Sequence, residues 1–190
     1  MHNPNLSGTV HQAIAAVCQI GGISIGDEND KTTWRIDFAD GATEEQKALA
    51  AAALAAFDIA GAMKSELRAK VDADAERVRL RYITPGAGMA MTYIEKRDQA
   101  NAVHGMGQQA ANALTEQERT EQFPTLAASV GLEAQTLWDC AILVIQRAEA
   151  WATLSNAIER TRFAGKKAIS DASDAAAARA AYEAITWPTP

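Results

Sequence analysis

Large side chains are scarce in this 190-residue sequence. Aromatic residues make up 6% of it, whereas 42 positions are alanine. Alanine buries little area and loses no side-chain entropy on ordering, so it favours helix over every other state. That balance excludes a thick aromatic core and predicts long helices packed closely through small side chains. Cysteine is nearly absent as well. Cys18 and Cys140 stand more than a hundred residues apart, which makes no metal-binding spacing and predicts two buried thiols in a reducing compartment. The three histidines, His2, His11 and His104, have no cysteine or carboxylate beside them in a catalytic pattern. No run of eighteen apolar residues occurs, so no membrane insertion is expected. The stretch from Met1 to Val10, with Pro4 and Gly8, lacks the basic and apolar parts of a secretory signal. Positive charge is in deficit: 18 Lys and Arg face 24 Asp and Glu, for a net charge of −6. Such a chain repels phosphate, which argues against nucleic acid as a partner.

Hydropathy periodicity supplies the rest. Val10, Ile14 and Val17 share one face of a helix over 10–20, ended by Gly21-Gly22. Ile23-Ser24-Ile25 alternates, a turn-rich Gly26 to Asp30 follows, and Thr32 to Phe38 alternates again. In that second run Trp34, Ile36 and Phe38 lie on one face, Arg35 and Asp37 on the other. Period two with β-branched and aromatic residues predicts a β-hairpin. Thr43 with Gln46 three residues on forms a capping box. A helix follows from Glu44 to about Asp58, and an apolar seam of Leu67, Val71, Ala75, Val78 and Tyr82 continues it. Pro85 to Gly88 is a hinge before a helix over Met89 to His104. Residues 108–122 show no core face. Phe123 starts a short helix ended by Gly131. From Leu137 the positions Leu137, Ala141, Val144, Ala148, Trp151, Ser155 and Ile158 step by four and three, continuing through Arg162, Gly165 and Ile169. This is the strongest periodic signal in the chain, and it marks the most protected element. A last helix runs from about Asp174 to Ile185.

Chemical motifs are missing where they would be recognisable. Asp27, Glu28 and Asp30 crowd one turn, but Gly26 precedes them, so the spacing of a calcium loop fails. Gly86-Ala87-Gly88 has no strand before it and Met91 where the third glycine of a dinucleotide motif falls. Gly165-Lys166-Lys167 lacks the upstream glycine and the hydroxyl of a P-loop. No catalytic, cofactor-binding or metal-binding residue is assigned, and a non-enzymatic protein is expected.

Two sets of residues carry a resemblance. The first is Gly22 to Gly26, Lys31 to Phe38, Ala42 to Gln46 and Ala55 to Asp58. It resembles a hairpin-plus-helix segment of bacteriophage tail-fibre proteins and of the small tail-associated proteins encoded near them. The second is Gly88 with Met91 to Lys96, Phe123 to Ala128, and Trp151 with Ile158-Glu159, which is similar to uncharacterised phage proteins. The resemblance implies a structural or fibre-attachment role in the virion tail, after synthesis in the host cytoplasm, or alternatively an assembly chaperone that leaves. Phage tail or fibre proteins would be the partners. The expected fold is mainly α, a long-helix bundle with a small N-terminal β-hairpin. Residues 1–60 are expected as an attachment module and 61–190 as the bundle. Alanine and glycine at seam positions also predict a homo-oligomer. The hairpin's unpaired edges make Ile23, Ile25, Trp34, Arg35 and Asp37 the expected partner-binding residues, unless residues 1–20 cover that edge in the same chain.

Overall fold

Ends of helices leave backbone groups without partners, and hydroxyl and carboxylate caps decide where several helices of this chain begin. Thr43 accepts from the Gln46 amide while the Gln46 side chain accepts from the Thr43 amide, so α2 opens at Glu44 and runs to Ala56. Thr115 and Glu118 repeat the device at α6, Glu116–Gln122. Asp174 caps α9, Ala175–Glu183, by accepting from Ala177. The computed structural model describes residues 6–28, 30–84 and 86–189. Among these the chain is mainly helical, with one two-stranded antiparallel sheet near its start. The remaining helices are α1 (Leu6–Ala15), α3 (Ile59–Arg79), α4 (Ala87–Met106), α5 (Gln108–Ala113), α7 (Pro124–Ala127) and α8 (Leu137–Asp171). No single helix among the described residues is long and apolar enough to cross a membrane; α2 and α3 pass that test only together, and they are bent by 65°.

The chain divides into two compact units, Met1–Asp74 with Thr161–Thr186 and Ala75–Arg160 with Trp187–Pro190. The expected boundary near residue 60 falls beside the break between α2 and α3, within the first of these. There β1 (Ile20–Ser24) pairs with β2 (Arg35–Phe38). Leu6, Val10, Ile14, Cys18, Ile20, Trp34 and Ala50 form one buried cluster. The first helix lies earlier than its sequence pattern suggested. Its buried face is Leu6, Val10 and Ile14, and Val17 is exposed. Gly21 and Gly22 do not stop it; they belong to β1, where Gly21 is the extra residue of a bulge between the pairs Ile20–Phe38 and Gly22–Asp37. Glycine at a strand interior marks such irregularities. Further along, Phe57 and Asp58 interrupt the helix expected to continue, because Asp58 caps α3 by accepting from the Gly61 amide.

Also in this unit, α3 and the end of α8 run antiparallel. Asp72 accepts from Arg162 and Lys166, each at 2.6 Å, and Lys64 donates to the carbonyl of Ser170. Gly165 makes room on α8 for the Ile185 side chain, which follows α9. A Cβ built there would lie 2.5 Å from Ile185 Cδ1, 3.1 Å from Ile185 Cγ1 and 3.8 Å from Val71 Cγ1. Tyr182 of α9 donates to Asp74 at 2.6 Å, and Lys70 sits over its ring.

In the second unit, Leu137, Cys140 and Ala141 of α8 pack with Ala100, Val103, Ala111, Phe123 and Leu126. A smaller cluster joins Ala75, Val78 and Ile158, with Leu154 and Trp187 against it. Arg79 and Glu159 pair beside it at 2.5 Å. The four-three register of α8 is reproduced throughout: each of its ten positions from Leu137 to Ile169 is buried or half-buried. Trp151 is only half-buried, however, and belongs to neither cluster. Helix α8 begins at Leu137, where Thr136 accepts from the Asp139 amide. Residues 108–122, which showed no face, form α5 and α6, with Ala111 buried beneath them.

Glu133 ties the loop before α8 to two helices. It accepts from Lys96 of α4 and Arg147 of α8, both at 2.6 Å. The Lys96 hydrogen bond chiefly, with Arg147 adding, holds its carboxyl below the ordinary range against the opposing effect of partial burial.

Gly165→Val is expected to destabilise the protein by about 1–3 kcal/mol, the cost of overpacking a tight contact, read from the denaturant midpoint. For Glu133, a folded pKa below the unfolded one means its contribution is present above the unfolded value and is lost as pH falls through the folded value. Glu133→Gln should therefore cost about 1 kcal/mol or less at about pH 7, and the difference from the parent should shrink as the pH falls through the folded value, read from melts across the acid range.

Candidate functional site

The hairpin residues expected to meet a partner divide into two groups. Trp34 is 7% exposed, and its indole donates to the Asp27 carbonyl at 2.6 Å. Ile23, Ile25 and Ile36 pack half-buried against the same core. These side chains are used inside the chain. Arg35 and Asp37 lie outside, joined to each other at 3.0 Å, and Ser24 donates to Asp37. Phe38, expected on the covered face, is exposed, with Lys47 over its ring. The helix α1 packs against β1 and α2.

The acidic turn below the hairpin has local employment. Asp30 caps the 3-10 turn Lys31–Thr33, accepting from the Thr32 amide and hydroxyl. Glu28 pairs with Arg179 of α9. The Thr33 hydroxyl accepts from the Asp27 amide, and a Cβ at Gly26 would fall 2.6 Å from that hydroxyl. Among the described residues no group of three or more His, Cys, Asp or Glu is placed to hold a metal.

His11 is half-buried in α1, and His104 stacks on Trp138 with ring centroids 5.4 Å apart. His2 and Pro85 lie outside the described residues. Gly86, of the expected hinge, adopts φ +132° directly before α4. Both cysteines are buried and free. Burial pushes the Cys140 thiol up, away from the thiolate that reacts.

A second surface was not anticipated. Every residue from Gly88 to Glu95 is exposed, although α4 has already begun. Four of these are large and apolar: Met89, Met91, Tyr93 and Ile94, with Met91 72% exposed. Met91 and Ile94 line an open groove of ≈ 520 Å³ together with Glu95, Asp98, Gln99, Ala102, Gln122 and Phe123. Gln99 is fixed there, because its side-chain oxygen accepts from the Leu126 amide at 2.9 Å. Exposed apolar side chains that line a groove, as Met91 and Ile94 do, mark a place where another molecule can dock. The sequence signal was present: Met89, Met91, Tyr93 and Ile94 do not fall on one helical stripe, so a single core face cannot take all four.

Comparison with protein-family models, curated proteins and solved structures gives no match to this chain.

Removing residues 1–41 would take Val10, Ile14 and Trp34 out of the core along with the hairpin, so point changes separate docking from folding. Trp34→Ala should cost about 3–5 kcal/mol of stability. The double change Arg35→Ala, Asp37→Ala should stay within about 0.5 kcal/mol of the parent. Thermal melts check both, and a large loss from the double change would make the pair part of the fold.

Proposed function

We propose that this chain is a non-enzymatic docking protein of a bacteriophage tail, fixed to the tail or to its fibre and made in the host cytoplasm. The tail assignment rests on the resemblance carried by Gly22 to Asp58 and by the segments around Met91, Phe123 and Trp151. The docking role rests on one structural observation, the exposed apolar half-helix from Gly88 to Glu95. Water contact on Met89, Met91, Tyr93 and Ile94 is unfavourable by an amount that grows with their apolar area. A partner that covers them regains that free energy on association, and none of it is needed to fold the chain. The exposed pair Arg35 and Asp37 beside the strand edge offers a second, polar contact by cross-strand pairing. Seam positions filled by alanine and glycine suit association with further helices, including those of other copies.

Mass spectrometry of purified phage particles tests the reading. A tail component is expected in fixed ratio to the other tail proteins, and Met91→Ser with Ile94→Ser should reduce its incorporation. Recovery with the fibre protein from infected cells, but not in particles, would make it an assembly chaperone instead. Absence from both preparations overturns the tail assignment.

A further inference from the structure

The groove beside α4 has a chemical character that selects its occupant. Its apolar wall is Met91 and Ile94, one helical turn apart, and Phe123, only 8% exposed, lines it too. Its charged lining is acidic. Glu95 and Asp98 stand on α4, three residues apart, and no cation is among the lining residues. Of the two neighbouring cations, Lys96 donates to Glu133 at 2.6 Å, away from the groove, and Arg97 pairs with the groove's own Asp98 in an exposed contact at 3.2 Å. Glu95 accepts only from the neutral Gln99 amide among the contacts of its helix. An exposed pair of this kind is weak and is readily exchanged for a better partner. The α6 helix that ends at the groove adds Glu116, Glu118 and Glu121 against the single Arg119.

Resting on the docking reading of α4, we propose that this groove receives an amphipathic helix of another protein, with large apolar anchors flanked by lysine or arginine. The open shape suits the apolar face of a helix laid along it. The acidic rim suits basic flanks, which raise the encounter rate and fix the orientation. A second copy of this chain is disfavoured, since it would bring the same carboxylates against Glu95 and Asp98, and like charges placed together repel.

The test uses the full chain and two model peptides. Each is an amphipathic helix with leucine along one face; the polar face is lysine in one and glutamate in the other. Binding is followed by fluorescence polarisation. The lysine peptide should bind at least about tenfold more tightly than the glutamate peptide. Glu95→Lys with Asp98→Lys should invert that order. The same charge change made outside the groove, Glu45→Lys with Glu149→Lys, should leave it standing. Met91→Ser with Ile94→Ser, which alters no charge, should weaken the lysine peptide by about tenfold or more.

Thermal melts verify that each variant is folded. If the double lysine variant is not, Glu95→Gln with Asp98→Asn replaces it and should remove the discrimination. Three results overturn the proposal: no binding of the lysine peptide, equal effects of the groove and control reversals, or concentration-dependent dimerisation that Met91→Ser with Ile94→Ser abolishes. The peptides are independent of particles. A groove that binds them in a protein absent from both particles and fibre preparations sinks the tail assignment alone, and a protein present in particles whose groove binds nothing sinks the groove alone.

Discussion

Close approach along α8 is the constraint on which both units depend. Its buried positions recur at steps of four and three, and most carry small or medium side chains. In the first unit Ile185 occupies the space that a side chain at Gly165 would take, with Val71 in ordinary contact beside it. Asp72 then pins α3 to the same segment through Arg162 and Lys166. In the second unit Ala141, buried with Leu137 and Cys140, lets the helix settle into a core with Ala100 and Ala111. Small residues bury little apolar area each, so the free energy of packing depends on how many atoms come into contact over a long surface. A long helix with an unbroken register supplies that surface.

The ion pairs follow from the same geometry. Helices that meet through alanine and glycine bring their flanking charged side chains within reach of each other. Arg79 with Glu159, and Asp72 with Arg162 and Lys166, sit at the margins of such contacts rather than inside the core. Pairs of this exposure contribute little to stability. Their larger effect is on alignment, since a shift of either helix by one turn would separate these partners. Asp72 is held below the ordinary carboxylate range, first by its hydrogen bond to Lys166 and then by that to Arg162, as expected where one carboxylate serves two cations.

What could be read in the sequence tracks how local the cause is. The α8 register, the capping box at Thr43 and the strand over Arg35–Phe38 are each fixed by a few neighbouring residues, and each was legible, although Phe38 is exposed where the alternation put it on the covered face. The box at Thr115 and Glu118 obeys the same rule and was equally visible, yet the polar stretch around it drew attention instead. The features that escaped depend on distant partners. Gly21 reads as a helix stop until β2 is known to lie beside it, and only then is it a bulge. Trp34 reads as a docking residue until Asp27 and the α1 face are seen to enclose it. Trp151 reads as buried because its position in the register is right, but a register gives direction and not depth, and the side chain is only half covered. The α4 groove was hidden for a related reason. Periodicity identifies apolar residues on a helix, and it cannot tell a face covered by the chain from a face left for another molecule.

The placement of large side chains carries the functional argument furthest. A chain with 42 alanines and 11 aromatic residues, four Trp, three Tyr and four Phe, has little bulky apolar material to distribute. Folding alone would draw that material inward, where each large side chain buries the most area. Yet Met89, Met91, Tyr93 and Ile94 stand in solvent on two consecutive turns, while the core beneath α5 is built on Ala111 and Ala100. Exchanging small residues inside for large ones outside runs against the hydrophobic effect, and an isolated exposed leucine or methionine would need no comment. Four together, next to a groove with an acidic rim, need a compensating free energy that this chain does not itself provide. In the proposed docking role, association with a partner provides it. The thin core and the apolar half-helix are then two sides of one arrangement, in which close helix packing maintains the fold and the bulkiest exposed side chains of α4 are available for binding.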